Sequence, residues 1–277
     1  MSAVEFKNVY FRYGPEQKTI LRDVNLALDY GKIVLFAGPS GSGKTTLMSL
    51  LNGAIPNYVK GQFSGEILID GESIYGKGIS ELSRSIGSVL QSADSQIVHD
   101  LVKDEIAFGQ ENTGIAPDAI TAAVNKYTEM LKLDPLYQTR LLSGGQKQRL
   151  ITASTLAMGQ KIIMLDEPLA NLDREGAGVV LGILKELAHG EGYLVIIVEH
   201  RIDHVIDYVD EIYDLADCTP VKMTKQELIR RGQESLANFK KYAETAGSFA
   251  ASGSGKPLLT ANNICMNFGS RKVLENV

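Results

Sequence analysis

Cysteine is scarce: Cys218 and Cys265 are the only two in 277 residues, and no C-x-x-C spacing links them. This excludes a disulfide framework and a cysteine zinc site, and fits a reducing cytosol. Basic charge is not in excess either, since 28 Lys and Arg face 33 Asp and Glu for a net charge of -5. No positive field draws in nucleic acid or anionic lipid from a distance. The longest apolar stretches, at 32–37 and 193–198, are strand-length, far short of the ~18 residues a membrane helix needs. Residues 1–6 lack the basic and apolar segments of a secretory leader, so no export is expected. What remains, 44% hydrophobic and 22% charged, is the composition of an ordinary folded chain. At roughly 150 residues per domain, the length allows one full domain and something smaller.

Strand-like apolar runs at 4–11, 20–28, 33–37, 66–69, 86–90, 162–165 and 194–198 alternate with helical patterns. Between Ser92 and Leu142 the pattern is mostly helical; after Pro117, the positions Ile120, Val124, Tyr127 and Leu131 mark one face of an amphipathic helix with proline in its first turn. The reading is an α/β core with parallel strands, preceded by an antiparallel β layer and interrupted by a helical subdomain at about 92–150. Composition then shifts to Ala, Gly and Ser between Ala243 and Lys256, which predicts a flexible linker at 241–256 closing a first domain at 1–240. Beyond it, 263–269 (NICMNFG) echoes 8–14 (NVYFRYG) at an offset of 255, and 273–277 (VLENV) matches 20–24 (ILRDV) after a loop two residues shorter. Residues 257–277 are therefore read as the first strands of a second, truncated copy.

Gly38-Pro39-Ser40-Gly41-Ser42-Gly43-Lys44-Thr45 fits G-x-x-x-x-G-K-[ST] and lies between an apolar strand and a helical run that opens at Thr46. Glycines let the backbone form a nest of N–H donors for phosphate oxygens, the helix N-terminus adds a positive dipole end, and Lys44 adds a full charge. Thr45 is expected to coordinate Mg²⁺. Such a loop names the ligand and leaves the job open, because kinases, GTPases and motors share it. Residues 162–167 (IIMLDE) form an apolar strand ending in two carboxylates, which puts them at the carboxyl edge of the sheet beside the loop. Asp166 would hold Mg²⁺ and Glu167 would polarise an attacking water.

Leu142-Ser143-Gly144-Gly145-Gln146 opens a helical pattern and makes a second anion-binding helix N-terminus. One nucleotide does not need two, unless the second serves another copy's nucleotide. At this point the chain resembles the ATP-binding cassette (ABC) ATPases. Gly38 to Thr45 looks like their Walker A loop, Leu142 to Gln146 like their signature, and Asp166 and Glu167 like the Walker B aspartate and catalytic glutamate. The resemblance further implies that Tyr13 stacks on adenine, Gln91 is the Q-loop glutamine touching Mg²⁺ or the lytic water, Asp173 is the D-loop aspartate, and His200 hydrogen-bonds the γ-phosphate. It covers about residues 3–215 and implies a P-loop fold of antiparallel β subdomain, RecA-like parallel core and inserted helical subdomain.

The runs 92–98 (SADSQIV) and 104–109 (DEIAFG) resemble the energy-coupling-factor (ECF) importer ATPases, and Val198-Glu199-His200-Arg201 is similar to their duplicated branch. Where that group often has QNPDNQ, this chain has QSADSQ at 91–96, which leaves the subgroup open. The resemblance implies ATP and Mg²⁺ as cofactors and a second ABC ATPase domain, as tandem copy or homodimer, as partner. It also implies a transmembrane coupling subunit and a substrate-binding membrane subunit at the cytoplasmic face of the cell membrane. The cargo would be a vitamin, a vitamin precursor or a transition-metal ion. The alternative is a soluble tandem ABC protein acting on ribosomes or nucleic acid; the linker composition and the -5 charge favour no nucleic-acid partner.

Overall fold

The computed structural model describes residues 2–200, 202–232 and 234, together with the strands at 266–268 and 271–274. It divides into two units, Met1–Lys225 and Gln226–Val277. The linker expected at 241–256, most of 257–277, and Arg201 lie outside the described residues.

The first unit opens with strands β1 (Ser2–Arg12), β2 (Leu21–Asp29) and β3 (Lys32–Ala37), the last feeding helix α1 (Lys44–Leu51). A one-turn helix α2 (Ala54–Asn57) precedes β4 (Gln62–Ile69) and β5 (Glu72–Ser73); a second, α3 (Ile79–Leu82), precedes β6 (Ile86–Val89). Three longer helices follow, α4 (Val102–Asn112), α5 (Pro117–Met130) and α6 (Gly144–Ala157), then β7 (Ile162–Asp166), α7 (Arg174–Glu191) and β8 (Leu194–Val198). The unit closes with α8 (Ile202–Val205), β9 (Glu211–Asp214) and β10 (Val221–Met223).

Two sheets result, and their burial patterns explain why. Along β2, buried Val24, Leu26 and Leu28 alternate with exposed residues, the habit of an antiparallel strand with one wet face. It joins the four-stranded antiparallel sheet β2-β1-β4-β5. By contrast β7 and β8 are buried at every residue and β3 at all but Lys32, as strands covered on both faces must be. They are the centre of the six-stranded sheet β10-β9-β3-β8-β7-β6, in which β9 through β6 run parallel and β10 pairs antiparallel with β9. One core joins the two sheets, with Phe6 and Phe11 of the first packed with Phe36, Met164 and Ile196 of the second and with Leu47 and Leu51 of α1. The architecture is α/β, with the expected antiparallel layer, parallel core and helical insertion. Pro117 stands at the first turn of α5, and Val124, Tyr127 and Leu131 are buried. Helix α6 packs against α4 and α5 on one side and reaches β6 on the other, so it belongs to the helical layer and the sheet at once. No helix among the described residues is long and apolar enough to cross a membrane.

Strands β9 and β10 have no legible period. What makes β9 is its pairing with β3, Val34 to Glu211 and Phe36 to Tyr213. Burial alone would raise the Glu211 carboxyl, but hydrogen bonds from Lys32, Lys222 and Tyr213 outweigh it and hold the pKa at about 2, against an ordinary 4.5. A depressed carboxylate stabilises the fold above its unfolded pKa, and that contribution vanishes as pH falls through the folded one. Glu211→Gln is therefore expected to lose ~2 kcal/mol at neutral pH, roughly 4–8 °C in melting temperature. The gap between variant and parent should close as melts are taken from pH 4.5 down to 2. A gap that stays constant with pH would refute the assignment.

In the second unit, β11 (Met266–Phe268) pairs antiparallel with β12 (Arg271–Leu274), with Met266 opposite Leu274. At the offsets read from the sequence, these two correspond to Phe11 and Leu21, which are partners between β1 and β2.

Candidate functional site

The phosphate loop leaves the end of β3 and turns through glycines of positive φ, Gly38 at 135°, Gly41 at 77° and Gly43 at 106°. At Gly43 a side chain is excluded twice, by that φ and because a Cβ would stand 2.9 Å from Ile20 Cγ2. Gly43 N-caps α1 without a side-chain acceptor, so the first N–H groups of the helix are left to a ligand. The Lys44 ammonium folds back onto its own loop, donating to the carbonyls of Gly38 and Pro39 at 2.8 Å each. Lys44 is only 5% exposed. Burial pushes its pKa down, while Asp166, Glu167 and Asp214 pull it back up.

Strand order then decides what faces this loop. With β3, β8, β7 and β6 side by side and parallel, the residues following each carboxyl end line one edge: the phosphate loop after β3, His200 after β8, Asp166 and Glu167 at the end of β7, and Gln91 after β6. Thr45 Oγ1 donates to Asp166 Oδ2 at 3.1 Å. Burial pushes the Asp166 carboxyl up; Glu167 adds to this, whereas the Thr45 hydrogen bond, Lys44 and His200 oppose it. Glu167 sits at φ 51°, a left-handed conformation that strains a non-glycine residue, pinned by its N–H to the Val198 carbonyl at 2.8 Å. Its carboxylate is gripped from both neighbouring strands: Gln91 Nε2 donates to Oε2 at 3.1 Å, and His200 Nε2 lies 3.0 Å from Oε1.

A hydroxyl and a carboxylate 3.1 Å apart, with the Gln91 amide bonded to the adjoining residue Glu167, offer the hard-oxygen donors that suit Mg²⁺. No cluster of three or more His, Cys, Asp or Glu that could hold a metal ion occurs among the described residues. Beside the loop, the Tyr13 hydroxyl and Thr46 Oγ1 share a hydrogen bond of 2.8 Å, and the Tyr13 ring meets Phe11 edge-on at 4.9 Å. The ring is held at its tip and one edge while the residue stays 39% exposed.

Ser143 to Gln146 are elsewhere. Ser143 N-caps α6 in a reciprocal box: its Oγ accepts from Gln146 N at 3.3 Å, and Gln146 Oε1 accepts from Ser143 N at 2.9 Å. A Cβ on Gly145 would stand 2.8 Å from the Asn171 carbonyl, so glycine there lets the 169–173 loop close against the helix start. Asp173 caps α7, accepting from Gly176 N at 2.8 Å. Ser143, Gly144, Gly145, Gln146, Asn171 and Asp173 line a cavity of about 540 Å³ whose lining contains nothing from the phosphate loop. The site residues thus fall into two groups, each with its own helix N-terminus.

Several supporting residues lie in the runs 92–98, 104–109 and 198–201, whose contacts the sequence does not give. Buried Glu199 accepts from the His200 N–H at 2.8 Å. After Gln91, Gln96 bonds Leu90 N and Ser88 O, buried Glu105 accepts from Val98 N and His99 N, and Asp94 pairs with Lys147 of α6. Apart from the first, each contact joins residues whose meeting depends on the folded loop.

The model of the ABC transporter family matches residues 21–170. A Pyrococcus horikoshii protein, provisionally named an ABC transporter ATP-binding protein, is 40% identical over 217 residues, 76% of this chain and 75% of its own length. A Lactiplantibacillus plantarum relative with the same provisional name is 38% identical over 231 residues, 82% of this chain; the chain spans only 41% of that protein. Among solved structures, cbiO1 from Clostridium perfringens, part of the ABC transporter complex cbiONQ, matches with a TM-score of 0.73 at 27% identity, covering 90% of this chain and 99% of that one. A dimeric ATP-binding cassette in a post-hydrolysis state, bound to ADP and Pi, matches with a TM-score of 0.70 at 26% identity, over 80% of this chain and 98% of the other. A family model over more than half the chain, joined to the fold and to a phosphate loop facing two carboxylates, gives one conclusion: this chain belongs to the ABC transporter family, as an ATP-hydrolysing, ATP-binding cassette.

Proposed function

We propose that the chain is the energy-coupling subunit of an ECF-type importer for a vitamin, a vitamin precursor or a transition-metal ion, working as one of two cassettes that close on ATP. One observation carries the paired reading: the two anion-binding helix N-termini, of α1 and of α6, stand in separate places. In the pair, Gly38 to Thr46 cradle the phosphates of the chain's own ATP, and Tyr13 stacks on the base. Mg²⁺, when bound, neutralises phosphate charge; Thr45, Asp166 and Gln91 would hold it. Glu167 orients and deprotonates the attacking water, and His200 bonds the γ-phosphate. Ser143 to Gln146 complete the site of the opposite copy, with Asp173 beside the seam. ATP then bridges two faces, and its hydrolysis removes the bridging charge so that the pair reopens.

A transport role is supported by the likeness to cbiO1, part of the ABC transporter complex cbiONQ, and by an exposed apolar set next to the Gln91 loop. Val98, Phe108, Tyr137 and Leu136 are exposed, and their segments are stitched together: Val102 N donates to Tyr137 O, and Thr139 Oγ1 to His99 O. A transmembrane coupling protein seated there would feel any shift of Gln91, and a substrate-binding membrane protein would complete the assembly at the cytoplasmic face. Residues 257–277 are proposed to open a second copy of the cassette. The shared register of the two hairpins and the longer relatives support this.

The test is recovery of the native protein from its host. Co-purification with multi-span membrane proteins, whose proteoliposomes take up a vitamin or metal ion only with ATP, is the expected result. A chain recovered on ribosomes, with turnover stimulated by them, would overturn the import reading.

A further inference from the structure

Lys132 occupies a place where a side chain is not needed. It follows Leu131, which closes α5, and its φ of 52° lies in the left-handed region, where glycine is the usual residue just past a helix. The turn is anchored to α6, because Arg149 donates through Nη1 to the Leu131 carbonyl at 3.0 Å. Lys132 and Arg149 both line the cavity formed with Ser143, Gly144 and Gly145.

Across the cavity the Lys132 ammonium meets Glu175 of α7 at 3.7 Å, with the two side chains 63% and 83% exposed. An exposed ion pair of that length contributes little and is readily exchanged. Glu175 is also favoured without the lysine, since it stands in the first turn of α7. Of the other charged side chains in the cavity, Arg149 is engaged by the Leu131 carbonyl and Asp173 by the cap of α7. Ser143 and the backbone N–H groups beside it are neutral donors. A triphosphate entering the cavity would find in Lys132 a full positive charge ready to turn to it.

We propose that Lys132 is a positioning cation for the opposite cassette's nucleotide: on closure its ammonium leaves Glu175 and pairs with phosphate oxygens of the ATP held against Ser143 to Gly145. This rests on the paired-cassette reading given above. Lys132 and Glu175 then act in opposite directions, the lysine favouring closure and the glutamate competing for it.

The experiment uses the full chain carrying Glu167→Gln, with ATP-driven dimerisation followed by sedimentation across a range of NaCl concentrations. Lys132→Gly should raise the ATP needed for half-dimerisation roughly five- to tenfold and flatten its salt dependence, without lowering the melting temperature, because glycine relieves the backbone. Lys132→Asn, which also tolerates this φ, should behave alike, and Lys132→Arg should restore the parent value. Glu175→Gln should make dimerisation tighter. A strap that only stabilises the fold predicts that Lys132→Gly and Glu175→Gln change association in the same direction or not at all, and either result overturns the proposal. Ser143→Asp separates the layers. If it blocks dimerisation while Lys132→Gly does not, the lysine's role falls alone; if it dimerises like the parent, the paired reading falls with it.

Discussion

Glu167→Gln is expected to bind ATP as the parent does, to turn over at least ~100-fold more slowly, and to accumulate as an ATP-bound dimer. The geometry separates these outcomes. In the proposed site, triphosphate binding rests on the nest of 38–43, the start of α1 and Lys44, none of which the substitution touches. The chemical step needs a base beside the γ-phosphate, the role proposed for Glu167, whose carboxylate is held by Gln91 at 3.1 Å and His200 at 3.0 Å. An amide of the same shape cannot take the proton from water. Nor can it accept from Gln91 and His200 with both of its heteroatoms, since one is now a donor. The trapped dimer follows from the same change, because ATP that is not hydrolysed keeps bridging the two faces, and removing one negative charge near the phosphates strengthens the bridge. Filter binding, phosphate release and sedimentation measure the three quantities. Turnover within threefold of the parent would remove Glu167 from the role of base.

Ser143→Asp is the second large effect, and it probes the other helix N-terminus. Aspartate caps a helix as well as serine does, so the box with Gln146 is partly kept and stability should change by no more than ~0.5 kcal/mol. Yet the new carboxylate stands where a second triphosphate is to dock, and like charge in a closing interface is strongly unfavourable. Hydrolysis should fall at least ~100-fold, while ATP affinity for the chain's own phosphate loop is unaltered, because the two sites do not share a cavity. Mixing decides the matter. A Ser143→Asp chain combined with an otherwise inactive Lys44→Ala chain can assemble one whole site, from the intact phosphate loop of the first and the intact Ser143 of the second. Activity reappearing on mixing is expected; two inactive chains that stay inactive together would refute composite sites.

Much of this was legible before any coordinates. The parallel core is visible because 33–37, 162–165 and 194–198 are unbroken apolar runs, and the antiparallel layer because 20–28 alternates. The phosphate loop declares itself by glycine spacing between a strand and a helix. Strands β5, β9 and β10 escaped notice because each has four residues or fewer and owes its existence to a neighbour. The role of Glu105 is a related case: the run 104–109 that holds it resembles the ECF importer ATPases, yet only the folded chain shows its buried carboxylate collecting the Val98 and His99 N–H groups. The cap roles of Ser143 and Asp173 lie between these cases, since both residue types suit an N-cap but only the helix starts say which is used.

What the chain order determines by itself is what acts between near neighbours or follows from composition: the nest at 38–43, the helix start at 142–146, the amphipathic face of α5, the sign of the net charge. Side-chain size, glycine freedom and capping chemistry operate within a few residues, so they can be read along the chain. What only the tertiary structure decided is the company these pieces keep. Gln91, Glu167 and His200 meet because β6, β7 and β8 are adjacent in the sheet, and Lys132 faces Glu175 because the turn after α5 lines one cavity with the starts of α6 and α7. Those partners are brought together by non-local strand pairing and packing, whose choice among alternatives is a property of the whole core, and no local pattern contains it.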